Sequence, residues 1–198
     1  MPHKTLVGQS GPPTSNAHFA IDSPGSGASE EKILITQNNL AVTYARLGRL
    51  EQATCLQRDV YSGRLKLYGD EHSLTLVAAV NYATSLEKLN RFEEAKSLVC
   101  KAVPVARRVL GESDESTLKI RWLYGRVLYS DTGATLDDLR EAVTTLEETE
   151  RIARRMLGGA HPLTVDMEKS LRKSRAVLAA REGDPSARTM LCEALKAM

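Results

Sequence analysis

The stretch Gly69-Asp70-Glu71-His72-Ser73 sets two carboxylates beside an imidazole. Oxygen and nitrogen donors so close together suggest part of a metal site or of an acid/base pair. Either reading needs partners that converge from elsewhere in the chain, because a metal takes three or four ligands. The remaining chemistry-bearing residues are scattered. Cys55, Cys100 and Cys192 show no CxxC spacing, which excludes a zinc knuckle or a redox pair and fits a reducing compartment. GxSxG, HExxH, GxGxxG and the P-loop are all absent. No catalytic residue, metal ligand or cofactor is therefore expected.

The elements that would position the triplet explain it better. Gly69 and Gly111 close "LKLYG" and "RRVLG", 42 residues apart. The same step carries Asn39 to Asn81, Ala53 to Ala95 and Thr75 to Thr117. A step of 47 leads on to Gly158, Ala142 and Thr164, with the extra residues falling around Gly133. His72 thereby aligns with Asp114 and His161, each just after a glycine that ends one helix and just before the first turn of the next. Asp is a good N-cap, Pro162 suits a first helical position, and glycine suits a left-handed C-cap. Two carboxylates and a histidine thus read as punctuation between helix pairs. A metal reading fails because the aligned positions lie about 10 Å apart per copy.

Each copy reads as two helices. Leu40, Ala41 and Tyr44 mark one face of the first, and Leu50, Ala53, Leu56 and Val60 one face of the second. Small residues recur where helices must approach: Ala41, Ala83 and Gly125, then Ala53, Ala95 and Ala142. The expected organisation is a disordered tail over 1–29 and a repeat domain over 30–182. That domain divides into 30–70, 71–112, 113–159 and a capping helix over 162–182. A C-terminal tail over 183–198 carries a short amphipathic helix. Arg172 and Arg175 replace small or apolar residues in the last half copy, as a solvent-facing cap requires.

Composition agrees. The 198 residues are 26% charged and only 5% aromatic, with a net charge of +2. So small a charge gives no reason to expect nucleic acid, and no apolar run is long enough for a membrane span or signal peptide. A cytoplasmic location is the default expectation.

Pattern and spacing resemble the tetratricopeptide repeat in its 42-residue, kinesin-light-chain-like form, on "NNLAVTYARLGRLEQA", "VNYATSLEKLNRFEEA" and "LGGAHPLT". The resemblance spans roughly residues 33–181. It implies an all-α, right-handed solenoid of about three and a half antiparallel helix pairs, non-enzymatic, with a concave groove for a peptide. Carried over by position, the groove residues are Asn39, Arg46, Asn81, Thr84, Lys88, Lys119, Trp122, Arg126, Tyr129, Lys169 and Lys173. Asn38, Val42, Val80, Leu123 and Ser170 occupy neighbouring groove positions. The asparagines offer donor and acceptor to an extended backbone, and the two aromatics offer anchors. The cations favour an acidic peptide partner. Gln57, Pro104 and Arg121 depart from the family pattern, and a kink is expected at Pro104. Two rival readings stand beside the adaptor: a self-assembling structural array (a homo-oligomer) and a regulatory part of a larger multidomain protein.

Overall fold

The structure is a computed structural model that describes residues 26–183. Both tails expected from the sequence therefore lie outside the described residues, apart from the stretch 26–29 and Gly183. Seven helices follow one another: α1 (Ser26–Arg46), α2 (Leu50–Tyr68), α3 (Ser73–Lys88), α4 (Phe92–Leu110), α5 (Glu115–Ser130), α6 (Leu136–Leu157) and α7 (Pro162–Glu182). No strand occurs among the described residues. The expected start at Ser29 falls inside α1, which already includes Ser26, the first described residue.

Each helix packs on the next in sequence, and α5 also touches α3 and α7. The chain is thus an all-α solenoid of helix pairs, with first helices stacked along one side. The small residues do what their spacing implies. Ala41, Ala53, Ala83, Ala95 and Ala142 are essentially inaccessible to solvent. At Gly125 a Cβ would stand 2.6 Å from Leu146 Cγ, so α5 and α6 approach too closely for any side chain there. Three apolar clusters, bridged by the partly buried Tyr124 and Trp122, run from α3 to α7 and include Leu86, Val99, Ile120, Leu128, Leu146 and Met167.

Two details differ from the sequence reading. Leu40 does not share the buried face of Ala41 but is 41% exposed. Its repeat equivalents Tyr82 and Tyr124 are partly buried against the core, whereas no preceding pair covers α1 among the described residues. Gly69, Gly111 and Gly158 have positive φ, yet their ψ of 175°, 164° and 157° is extended rather than left-handed helical. That region is open essentially to glycine alone, so the helix stop is sharper than a left-handed cap. As the sequence reading has it, Pro104 lies inside a helix, α4, which runs from Phe92 to Leu110, and the carbonyl its missing N–H leaves without that bond is that of exposed Cys100.

Candidate functional site

The His72 imidazole is spent on backbone. Its Nδ1 accepts a hydrogen bond from the Leu74 amide at 3.2 Å, and its ring stacks on Tyr68 with centroids 4.6 Å apart. Asp114 Oδ1 accepts from the Ser116 amide at 2.8 Å, and His161 Nδ1 from Leu163 at 3.3 Å. All three are N-caps of first helices. Glu71 pairs with Arg108 at 2.8 Å. Among the described residues no three His, Cys, Asp or Glu side chains group as metal ligands.

Two pockets open between successive first helices. The first, about 260 Å³, lies between α1 and α3 and is lined by Val42, Arg46, Gln57, Asn81, Thr84 and Lys88, among others. Two of its lining residues, Gln57 and Asn81, belong to an amide cluster with Asn38, which lies beside the pocket and is not part of its lining. Asn38 Oδ1 accepts from Asn81 Nδ2 at 3.1 Å and from Gln57 Nε2 at 3.4 Å. Gln57 is 3% exposed, and its Oε1 has no hydrogen-bond partner. Asn39, one residue along, is exposed and does not line the pocket. The amide facing Asn81 is therefore that of Asn38. A helix turns about 100° per residue, enough to carry Asn39 off this face. Thr84, also in the lining, donates its Oγ1 hydrogen to the Val80 carbonyl at 2.8 Å, which leaves the oxygen able to accept.

The second pocket, about 220 Å³, is shared by α3, α5 and α7. It brings together Trp122, Arg126, Tyr129, Lys169 and Lys173, with Glu87, Asp166 and Ser170 beside them. The aromatics are largely committed to packing. Tyr129 is 8% exposed, and burial pushes its phenol pKa up. Trp122 is half-buried against two core clusters and donates Nε1–H to Ser170 Oγ at 2.8 Å. Lys173 Nζ sits 5.7 Å from the Tyr129 ring centre, and the Arg126 guanidinium 5.0 Å from the Trp122 ring centre.

Arg126 is also paired. Its Nη2 donates to Glu87 Oε2 at 2.6 Å, and the Glu87 side chain is 7% exposed. Lys169 reaches Asp166 at 3.2 Å. Lys119 pairs with Glu115 at 2.6 Å, one turn back on α5, and lines neither pocket. Leu123 is buried in the core. The carboxylates were missed from sequence. Glu87 meets Arg126 across 39 residues, and the periodicity of a single helix carries no information about a partner on another. Gln57 did signal itself, as an amide where the repeat pattern calls for an apolar residue.

Comparison with known proteins follows the same lines. The tetratricopeptide repeat family model matches residues 32–108, spanning α1 to α4. No curated protein matches the chain. A structure of the kinesin-light-chain-type protein of Podosopora anserina, with nearly identical TPR-like repeats, matches at 20% identity and a TM-score of 0.60. It aligns with 82% of this chain and 74% of that one. A variant of the same protein matches at 21% identity and a TM-score of 0.62, over 82% and 73%. BtubC (BKLC) from P. vanneervenii matches at 19% and 0.63, over 84% of this chain and 63% of its own. At such identities these neighbours speak for the fold. Together they show a tetratricopeptide repeat over residues 32–108 and, for the chain, a fold similar to that of the kinesin-light-chain-type repeats.

Proposed function

We propose that this chain is a non-enzymatic adaptor that holds an extended, acidic peptide across the two first-helix pockets. A tetratricopeptide-repeat fold is in general a scaffold for protein–protein interaction, and the pockets supply the chemistry for one class of ligand. The observation that carries the reading is the charge of the lining. Arg46 and Lys88 border the first pocket with no carboxylate among its lining residues. In the second, Arg126, Lys169 and Lys173 face Glu87 and Asp166, which leaves one net positive charge. The Asn38–Asn81–Gln57 cluster suits a peptide amide, because each side-chain amide carries both donors and an acceptor.

The test follows from which cations are free to be changed. Reversing Arg126 would leave Glu87 buried and unpaired and face it with a second carboxylate, so lost binding would be confounded with lost folding. Lys88 and Lys173 have no ion-pair partner among the described residues. The double variant Lys88→Glu and Lys173→Glu is expected to weaken binding of an acidic peptide pool at least tenfold while far-ultraviolet circular dichroism is unchanged. Lys119→Glu, outside both pockets, is the control and is expected to bind as before. Equal binding by the double variant and the parent, measured by fluorescence anisotropy, would remove the acidic-ligand reading.

A further inference from the structure

Ile33 and Leu40 on α1 and Leu47, in the turn just after it, stand seven residues apart and are 53%, 41% and 66% exposed. Seven residues are nearly two turns, so the three form one apolar stripe about 21 Å long. The later copies show what such a face is for. The equivalents of Leu40 are Tyr82, Tyr124 and Leu171. Tyr82 stacks on Tyr61 of α2 with centroids 6.2 Å apart, Tyr124 is half-buried in the core, and Leu171 is buried beside Leu146 of α6. In each case the face is turned toward the second helix of the preceding pair. On α1 that seat is empty among the described residues.

We infer that the seat takes residues 186–198 of a second copy, so that copies associate head to tail. The segment "SARTMLCEALKAM" places Leu191, Ala194, Leu195 and Met198 at i, i+3, i+4 and i+7, an apolar stripe of helical period. As a helix its 13 residues span about 20 Å, the length of the α1 stripe. The occupant is not this chain's own C-terminal segment. Three helix-pair steps of about 10 Å separate α1 from α7, and only Asp184 and Pro185 link Gly183 to the segment. Nor does α7 offer an apolar seat where a following helix would lie, since Arg172 is exposed there and Arg175 pairs with Glu147 at 2.6 Å. Residues 1–25 are a poorer occupant. Gly8, Gly11, Pro12, Pro13, Pro24 and Gly25 interrupt them, and Phe19 and Ile21 are two apart, off the helical period. Such an interface is heterologous and does not close on itself, so chains of copies grow with concentration.

Sedimentation of the full chain is expected to show a mass that rises with concentration above the 21.7 kDa of one copy. Leu40→Asp removes the seat and Leu195→Asp the occupant, and each alone is expected to remain at the mass of one copy. Leu40 is exposed, so Leu40→Asp leaves the core intact. An equimolar mixture of the two variants has one intact seat and one intact segment, and is expected to stop at two copies. A full chain that stays at the mass of one copy overturns the inference. So does association that survives removal of 184–198, because the α1 faces would then be pairing with each other or with residues 1–25. Neither outcome bears on peptide binding at the two pockets, which the charge-reversal variants test separately.

Discussion

Thr75, Thr117 and Thr164 occupy one repeat position and are all buried, yet their hydroxyls end differently. Thr75 Oγ1 donates to the Arg64 carbonyl at 3.3 Å and Thr117 Oγ1 to the Ala106 carbonyl at 3.2 Å. Each bond runs back eleven residues and ties the start of a first helix to the helix before it. Thr164 should reach Ala153 by the same step, but its hydroxyl has no partner. A net hydrogen bond contributes about 1 kcal/mol, whereas an unpaired buried hydroxyl gains nothing over a methyl group of the same shape. Thr117→Val is therefore expected to lower stability by about 1 kcal/mol, and Thr164→Val to leave it unchanged or raise it. Urea unfolding with a constant slope reads both. A loss at Thr164 as large as at Thr117 would show that position to be bonded after all. The pair also shows what sequence alone conveys at this scale. The recurrence of threonine is visible in the repeat, but a failed bond is not, because it depends on how α7 sits against α6.

At the scale of the element, the insertion before α6 needs its own start signal, and it has one. Thr135 Oγ1 accepts from the Asp138 amide at 3.1 Å, and Asp138 Oδ2 accepts from the Thr135 amide at 3.0 Å. This capping box was legible from Thr135 and Asp138 at their spacing of three. The ion pair that completes it was not: Lys96 Nζ on α4 donates to Asp138 Oδ1 at 2.6 Å, across 42 residues. Lys96 first, then the bonds from Thr135, hold the Asp138 carboxyl down from 3.8 to about 2. A carboxyl depressed on folding adds stability above its unfolded pKa, and that addition fades as pH falls toward the folded value. Asp138→Asn is thus expected to cost about 1 kcal/mol near pH 7, a typical cap loss. The gap to the parent should close as pH drops from about 4 to about 2. A gap that stays constant across that window would mean the charge is not what the cap uses. Element starts and faces follow from local spacing, so they could be read from the chain. Contacts between helices of different pairs, such as Lys96–Asp138 and Arg126–Glu87, depend on how pairs stack. That is why the acids beside the second pocket came only with the structure.

At the scale of the molecule, a solenoid distributes its stability by neighbour contacts, so an end that lacks a neighbour is its weakest part. Here the two ends are not alike. The three bridged apolar clusters span α3 to α7, while Leu34, Ala41, Ala53 and Val60 on α1 and α2 are buried but fall outside those clusters. The α1–α2 pair also buries polar groups: Gln57 carries an unpaired Oε1, and Arg64 spends Nη1 on the Leu74 carbonyl at 3.1 Å. Polar burial of this kind contributes less than the Leu, Ile and Val contacts of the centre. Opening of α1 and α2 is therefore expected at a free energy well below that of global unfolding. Native-state hydrogen exchange should show amides of α4 and α5 as the slowest, and amides of α1 and α2 exchanging at least tenfold faster. The Leu40→Asp chain is the form to measure, because any helix seated on α1 would protect it and mask the gradient. Uniform protection from α1 to α7 in that variant would mean the array opens as one unit, with the first pair as firmly held as the centre.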